Sequence, residues 1–377
     1  MRGTISLVIA SALLLFGCSR EENYFPVPEI AYHLAVTDSI GTEIGEEEYM
    51  FGMASDPTYS PDGRILVVDR LKHYVFVYSE EGEYLETIGR EGEGPGEYRM
   101  PSSVDFYPDG SLLVGDNDGI TLLDSSFNYV DQVMWDTFHP WVRKTLDDGG
   151  FIGNMNRFNP GEDGFTIDNI LGRWEYGEQD VSVEYYSFSS EMDMSSPGTI
   201  DHTESRDNVL TFCASPNGRV FYSRSVLDDI VIHGCEPDGT EFLLIDEELP
   251  HRVRKTQEEL DREMSTVTAA FSAMARQAGR SVNEIEIILD PYRRTVQEMF
   301  VDGSNRLWVR LGIYPGIVFR VYDMEGNVLF HAMVDYNGDQ LDLINWTVSG
   351  DRYGFLALNT SMEYCQKVYM MDLVEVE

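Results

Sequence analysis

Basic side chains are scarce in this chain. Against 66 Asp and Glu it sets 27 Lys and Arg, a formal net charge of −39 over 377 residues. Binding a nucleic acid needs clustered Lys and Arg to neutralise phosphates, so this balance argues against a nucleic-acid partner. The acids are spread along the whole chain, which is the pattern of a solvated surface. Cysteine is equally sparse, at four residues. Cys213 and Cys235 fall on segments read as the first and third strands of one sheet. Strands two apart lie about 9–10 Å from each other, beyond disulfide reach, so no disulfide framework is expected. Catalytic signatures are missing as well. There is no His-Glu-x-x-His, no Gly-x-Ser-x-Gly, no Walker loop and no Cys pair at zinc spacing. The seven His residues are scattered, so a hydroxyl–imidazole–carboxylate triad would have to be assembled by folding alone.

What is present begins with a targeting segment. Arg2 gives a basic start, and Ile5 to Phe16 is an apolar run. That run is shorter than the roughly 20 residues a spanning helix needs. Leu15-Phe16-Gly17-Cys18 resembles a bacterial lipobox, which implies that Cys18 is the acylated first residue of the mature protein. Ser19-Arg20-Glu21-Glu22 looks like the short acidic export tag of Bacteroidetes-type surface lipoproteins. Residues 1–17 are read as a lipoprotein signal peptide. Residues 18–29, with Pro26 and Pro28, are read as a tether. The expected location is the bacterial cell envelope, lipid-anchored, at the outer membrane or cell surface.

From residue 30 onward one pattern repeats. It is clearest between Ile88 and Asp131: a glycine-rich loop, a strand around Val104-Asp105-Phe106, Pro108-Asp109-Gly110, a strand Ser111 to Asp116, a third at Ile120 to Asp124 and a fourth near Tyr129. Asp-Gly between apolar runs marks a hairpin, because the turn needs positive φ and Gly supplies it without steric cost. Turns of this kind recur at Pro61-Asp62-Gly63, Asp148-Gly149, Pro216-Asn217-Gly218, Asp302-Gly303 and Gly350-Asp351. With Pro108-Asp109-Gly110 they predict six four-stranded sheets stacked around an axis, since one sheet cannot bury both faces alone. The unit from Trp141 to Phe188 is the least regular, and its third strand is placed near Ile170.

The loop Gly92, Gly94, Gly96, Glu97, Tyr98 and Pro101 resembles that of NHL-repeat propellers, with Glu97 for the usual Gln and Tyr98 for Phe. It is closer still to the bacterial lipoproteins described as six-bladed β-propellers, within the TolB-like six-bladed class. The resemblance implies an all-β, six-bladed β-propeller over residues 30–377. RNA binding, known among NHL-type propellers, is opposed here by the charge. Six-bladed propellers of the gluconolactonase type hold an axial divalent metal with one Glu, two Asn and one Asp, and no such quartet can be placed in this sequence.

Two departures from the repeat stand out. A helical insertion at about 251–280, between blades four and five, opens at Thr256-Gln257-Glu258-Glu259, a capping-box signature. Leu260, Met264, Val267, Ala270, Phe271, Met274 and Ala278 then recur at helical spacing, and Gly279 ends it. Its apolar face is expected to pack on the propeller rim. The last blade has three strands after Asp339, and an unpaired edge is a liability. The segment Ile30 to Val36 alternates suitably and is predicted to close the ring by pairing with that blade.

Ligands of propellers usually meet the face made by the loops entering the first strand and joining the second and third. The ligand-binding candidates are therefore Asp69, Arg70, Arg90, Asp116, Asn117, Asn154, Arg224, Arg310 and Asn359. Asp and Asn also cap turns routinely, and Asp116-Asn117-Asp118-Gly119 reads as a turn rather than a calcium loop, which needs more acids at fixed alternation. Trp308 and Trp346 read as packing between blades. His139, Trp141 and Arg143 form a more open group, read as structural. The function expected is a non-catalytic scaffold, monomeric, binding an envelope protein or a small polar ligand and needing no cofactor. The alternative is a metal-dependent hydrolase or lyase using the central channel.

Overall fold

The computed structural model describes residues 24–376, apart from 136–138, 161–163, 194–198, 204–208, 225, 278–285, 339–342, 344 and 362–364. Cys18, the signal segment and the tether as far as residue 23 lie outside the described residues.

Strand β1 (Tyr32–Ile40) precedes the repeats. β2 (Ala54–Tyr59), β3 (Ile65–Asp69), β4 (Tyr74–Tyr78) and β5 (Tyr84–Ile88) form the first antiparallel sheet. β6 (Ser103–Phe106), β7 (Leu112–Gly115), β8 (Gly119–Leu123) and β9 (Tyr129–Met134) form the second. β10 (Trp141–Thr145), β11 (Gly150–Pro160), β12 (Gly164–Glu175) and β13 (Val183–Asp193) form the third. After the short β14 (Thr199–Asp201), the fourth holds β15 (Leu210–Ala214), β16 (Val220–Arg224), β17 (Asp229–Cys235) and β18 (Glu241–Glu248). Helix α1 (Gln257–Gln277) follows, and then β19 (Glu286–Ile288), which pairs in parallel with β14. β20 (Val296–Val301), β21 (Leu307–Leu311), β22 (Val318–Tyr322) and β23 (Val328–Asp335) make the fifth meander. β24 (Trp346–Gly350), β25 (Phe355–Asn359) and β26 (Val368–Glu375) make the last.

Four of the six predicted turns supply the positive φ they need at the expected Gly, with Gly63 at +89° and Gly110 at +85°. In the sixth the positive φ falls on Gly354, not on Gly350, which ends β24. The fifth differs too: Asn305, not Gly303, takes the left-handed conformation, at +59°. Asn is among the few side chains that tolerate it.

Because side chains alternate across a strand, each sheet has two apolar faces, and each face meets a neighbour. Leu66 and Val68 of β3 pack against Val104 and Val114 of the second sheet. Ile65 and Val67, one residue out of step, pack against Leu356 and Leu358 of β25. The second and third sheets meet through Leu113 and Phe151, the third and fourth through Ile152 and Val220. The fourth and fifth meet through Ile232 and Val309, the fifth and last through Trp308 and Phe355. Six apolar seams thus run from sheet to sheet and return to the first.

β1 completes the last sheet, antiparallel to β26 from Tyr32↔Glu375 to Ile40↔Val368, as its alternation predicts. Its other edge runs parallel to β23, Tyr32↔Ala332 to Ala35↔Asp335, so the fifth and last meanders share one hydrogen-bonded ladder. Leu34 and Ile40 are buried in two different seams.

One expectation is corrected, and the helix start is as the sequence predicts. β12 begins at Gly164, not near Ile170, because β11 and β12 continue as a ladder from Gly150↔Glu175 to Pro160↔Phe165. The helix starts after Thr256 with the reciprocal bonds of a capping box: Glu259 N donates to Thr256 Oγ1 at 3.2 Å and Thr256 N to Glu259 Oε2 at 2.7 Å. It reaches Gln277, and the proposed stop at Gly279 lies outside the described residues.

Candidate functional site

The first strand of each sheet lies nearest the axis, and several carry a charged side chain among apolar neighbours. Asp56 sits at a bulge in β2, with φ +50°, and its Oδ2 accepts the N–H of Val104 in the next sheet at 2.7 Å. Burial pushes its carboxyl up to about 6, although the Arg143 charge opposes the shift. Asp105 of β6 repeats the device. It accepts Thr145 N (2.6 Å), Thr145 Oγ1 (2.7 Å) and Lys144 Nζ (3.0 Å) from the third sheet. Glu298 of β20 does so once more: Oε1 accepts Val348 N of β24 at 2.8 Å. These bonds latch one sheet to the next at their inner edges.

At Glu298 the latch opens onto a cavity of about 430 Å³. Its walls come from the start of α1 (Lys255, Glu259, Glu263), the segment leading into β20 (Asp290, Tyr292, Arg293, Arg294) and the inner strands themselves (Gln297, Glu298, Arg310, Trp346, Thr347), with His202 and Val209 at one side. Glu259 is buried, accepts the Tyr24 hydroxyl at 3.0 Å and pairs with Arg293, whose guanidinium lies 4.8 Å from the Tyr24 ring centre. Lys255 Nζ meets Glu263 Oε2 at 2.6 Å. Arg310 is 7% exposed and donates to the carbonyls of Trp346 (2.6 Å) and Leu343 (3.0 Å).

Three buried polar atoms of this wall have no hydrogen-bond partner: Glu298 Oε2, Arg310 Nε and Trp346 Nε1. Buried polar groups are normally paired, so these three stand out, although none is open to an atom placed in the cavity. Arg310 stands 3.9 Å from Glu298 Oε2, too far for a hydrogen bond. Burial therefore dominates and pushes the Glu298 carboxyl up to about 7, with Arg310 and the Val348 N–H only partly opposing it. Burial likewise lowers the proton affinity of Arg294, with the Glu263 charge opposing. No hydrogen bond or ion pair with a described residue engages the Arg294 guanidinium.

Of the ligand-binding candidates read from the sequence, Arg310 alone lines this cavity. Asp69 is buried and its carboxylate accepts the N–H groups of Gly52, Met53, Leu71 and Lys72. Asp116 accepts those of Arg99 and Met100. Both clasp the loop that leads into their own sheet. Asn359 caps Ser361 N at 2.9 Å. Arg90 is held by Glu97 at 2.7 Å, and Glu97 by Gly94 N at 2.9 Å. Asn117 is exposed in the turn after β7, and Arg224 is exposed at the end of β16. Arg70 has a buried Nε without a partner, and its Nη2 donates to Met100 Sδ at 3.5 Å. Asn154 Oδ1 lies 3.5 Å from Arg143 Nε. Trp346 does pack between sheets, 4.1 Å from the Tyr369 ring, but it also faces the cavity. Glu298 and Arg294 were not found from sequence. The available signal was an acid inside an apolar first strand, Val296-Gln297-Glu298-Met299-Phe300.

Residues 56–147 match a family model described as a 6-bladed beta-propeller. The chain is a β-propeller. No curated protein matches its sequence. Among solved structures, a member of a family of unknown function from Bacteroides vulgatus aligns over 93% of this propeller and 100% of its own length, with TM-score 0.52 and 8% identity. A protein described as exported, from Bacteroides fragilis, aligns over 93% and 95%, with TM-score 0.46 and 12% identity. A gluconolactonase from Xanthomonas campestris aligns over 89% and 98%, with TM-score 0.41 and 10% identity. Likeness at these identities concerns the fold alone, since unrelated activities share such folds. Among the described residues no helix is long and apolar enough to cross a membrane, and no three His, Cys, Asp or Glu converge as a metal site. Cys213, Cys235 and Cys365 are free thiols.

Proposed function

We propose that the chain is an exported, lipid-anchored, six-bladed propeller that binds a small polar ligand in the cavity beneath α1, the helix being an insertion between blades four and five. It acts as a monomeric, non-catalytic binding scaffold of the cell envelope, held to the membrane through Cys18. The observation that carries this reading is a 430 Å³ cavity walled by inner strands and the start of α1, with the Arg294 guanidinium in its lining and engaged in no hydrogen bond or ion pair with a described residue. Such a pocket, polar at a few fixed points and built on rigid strands, is what a small ligand needs. The apolar start of the chain and Leu15-Phe16-Gly17-Cys18 support export and acylation.

The test is calorimetry of the purified protein against a panel of small organic acids and neutral sugars. At least one should bind saturably, and Arg294→Ala should weaken it tenfold or more while the circular dichroism stays unchanged. Wild-type affinity in that variant would refute the site.

The second reading, a hydrolase or lyase in the same channel, draws on one observation. Glu298 is held near 7, where a carboxyl serves as general acid or base. The metal-dependent form of that reading lacks convergent donors among the described residues. Turnover of a bound ester or lactone, lost in Glu298→Gln, would favour it.

A further inference from the structure

Residues 24–29, read from the sequence as part of a tether, are docked on the ring. The Tyr24 hydroxyl donates to Glu259 Oε1 at 3.0 Å, and the Tyr24 ring centre lies 4.8 Å from the Arg293 guanidinium. The Phe25 ring stacks on His251, with centroids 4.6 Å apart and planes 7° from parallel. Phe25 N donates to the Ile313 carbonyl at 3.0 Å. Tyr24, Phe25 and Ile30 pack against the apolar seam between the fourth and fifth blades, in the cluster that holds Val253 and Ile313. Ala31 N then donates to the His331 carbonyl at 3.0 Å, and the chain enters β1.

His251, Glu259, Arg293 and Ile313 all belong to one end of the ring, the end at which the chain enters the first strand of each blade. Reach then fixes where an anchor on Cys18 can lie. Six steps along the chain separate Cys18 from Tyr24, and fully extended they cover about 20 Å. That is well short of the roughly 50 Å breadth of a compact domain of this length. A lipid on Cys18 therefore keeps the α1 end near the bilayer and the far turns away from it. Undocked back to Ala31, the leash would run to thirteen steps and about 45 Å, enough to let any face approach.

Charge points the same way. Residues 251–295 carry eight Lys and Arg against seven Asp and Glu, so the acidic excess of the chain lies wholly elsewhere. Anionic headgroups repel that excess and spare this stretch. Arg252 and Arg254 are exposed at its start.

Resting on the lipid-anchored reading above, we propose that residues 24–31 strap the anchor to the α1 end of the propeller, and that this end lies against a bilayer with anionic headgroups. The surface around the start of α1 is then a membrane-facing surface, and the turns between first and second strands face away.

The experiment uses the mature acylated chain on vesicles of phosphatidylethanolamine and phosphatidylglycerol. The same chain begun at Ser19, free in solution, is the reference. Exposed carboxyls are amidated with a carbodiimide and glycine ethyl ester and read by mass spectrometry. Glu258, exposed at the start of α1, should be labelled about threefold less in the vesicle-bound protein, because a leash of ~20 Å holds it by the headgroups. Glu325, exposed in the turn between β22 and β23 at the far end of the fifth blade, should be labelled equally in both. Tyr24→Ala combined with Phe25→Ala, still acylated, should return Glu258 to the reference level. Glu258 labelled as in the reference in the acylated wild type overturns this inference and leaves the anchor standing. Protection of Glu258 that survives the double variant overturns the strap. An envelope protein whose mass shows Cys18 without acyl chains overturns the anchored reading and this inference with it. The wild-type comparison decides the matter even if the double variant does not fold.

Discussion

Asp105 and Glu298 hold the same place at two different seams. Each sits on the first strand of a blade, and each accepts a backbone N–H from the first strand of the next. At Asp105 both carboxylate oxygens are filled by Lys144 and Thr145, and the seam is closed. At Glu298 one oxygen is filled and the other has no protein partner; the nearest cation stands 3.9 Å away, because Arg310 is held by two carbonyls. The difference teaches what a latch costs when it is left half made. A buried carboxylate with all its partners locks the ring, whereas one lacking them gives up its charge and becomes available for other chemistry. One device therefore closes the seam at Asp105 and is left half made at Glu298.

The sharpest way to break the comparison is to remove the closed latch. Asp105→Ala leaves Lys144 without its carboxylate and Thr145 N without an acceptor. It should cost about 3–5 kcal/mol, the usual effect of deleting one partner of a buried pair, read as a lower urea midpoint at pH 7. Glu298→Gln should do the opposite, in a pH-dependent way. The Glu298 carboxyl rises from 4.5 to about 7 on folding, so the folded state holds a proton that the unfolded state releases. Its contribution to stability is fully present below pH 4.5 and lost as pH rises through 7. An amide cannot ionise and escapes that loss. Glu298→Gln should therefore match the wild type at pH 4.5 and be more stable at pH 8 by up to about 3 kcal/mol, at 1.36 kcal/mol per pKa unit. A variant less stable than wild type at pH 8 would mean that Glu298 is a closed latch like Asp105.

The ring was readable from the sequence because its signals are local. Pro108-Asp109-Gly110 and its counterparts state a turn within three residues, and β3, apolar throughout, states burial on both faces. Ring closure followed from counting: three strands after Asp339 need a fourth, and Ile30 to Val36 has the alternation, within a strand that runs on to Ile40. The second pairing of β1, with β23, left no trace because main-chain edges carry no sequence signal. The positions at the ends of second strands were found but their work was not. Asp69 and Asp116 spend their carboxylates on backbone N–H groups, a use their sequence context shares with any binding residue. The cavity was illegible for a further reason: His202, Glu259, Glu298 and Trp346 come from four separate segments and meet only in the folded ring.

The smallest expected effect bears on how far the open seam depends on its cover. Glu259 is at once the third residue of α1, where it accepts the N–H of Thr256, and a wall of the cavity, where it holds Arg293 and Tyr24. Thr256→Ala removes the Oγ1 acceptor for the Glu259 N–H but leaves every side chain of the cavity in place. The loss should be about 1 kcal/mol, typical of an N-cap, seen as faster amide exchange over residues 257–260 rather than as a shifted global midpoint. If ligand affinity falls with it, the helix start positions the Glu259–Arg293 pair, and the open seam is a property of the insertion. If affinity holds, the pair is fixed from the β20 side, and the blades alone make the site. The closed seam at Asp105 has no such cover, so Thr256→Ala should leave the stability cost of Asp105→Ala additive and unchanged.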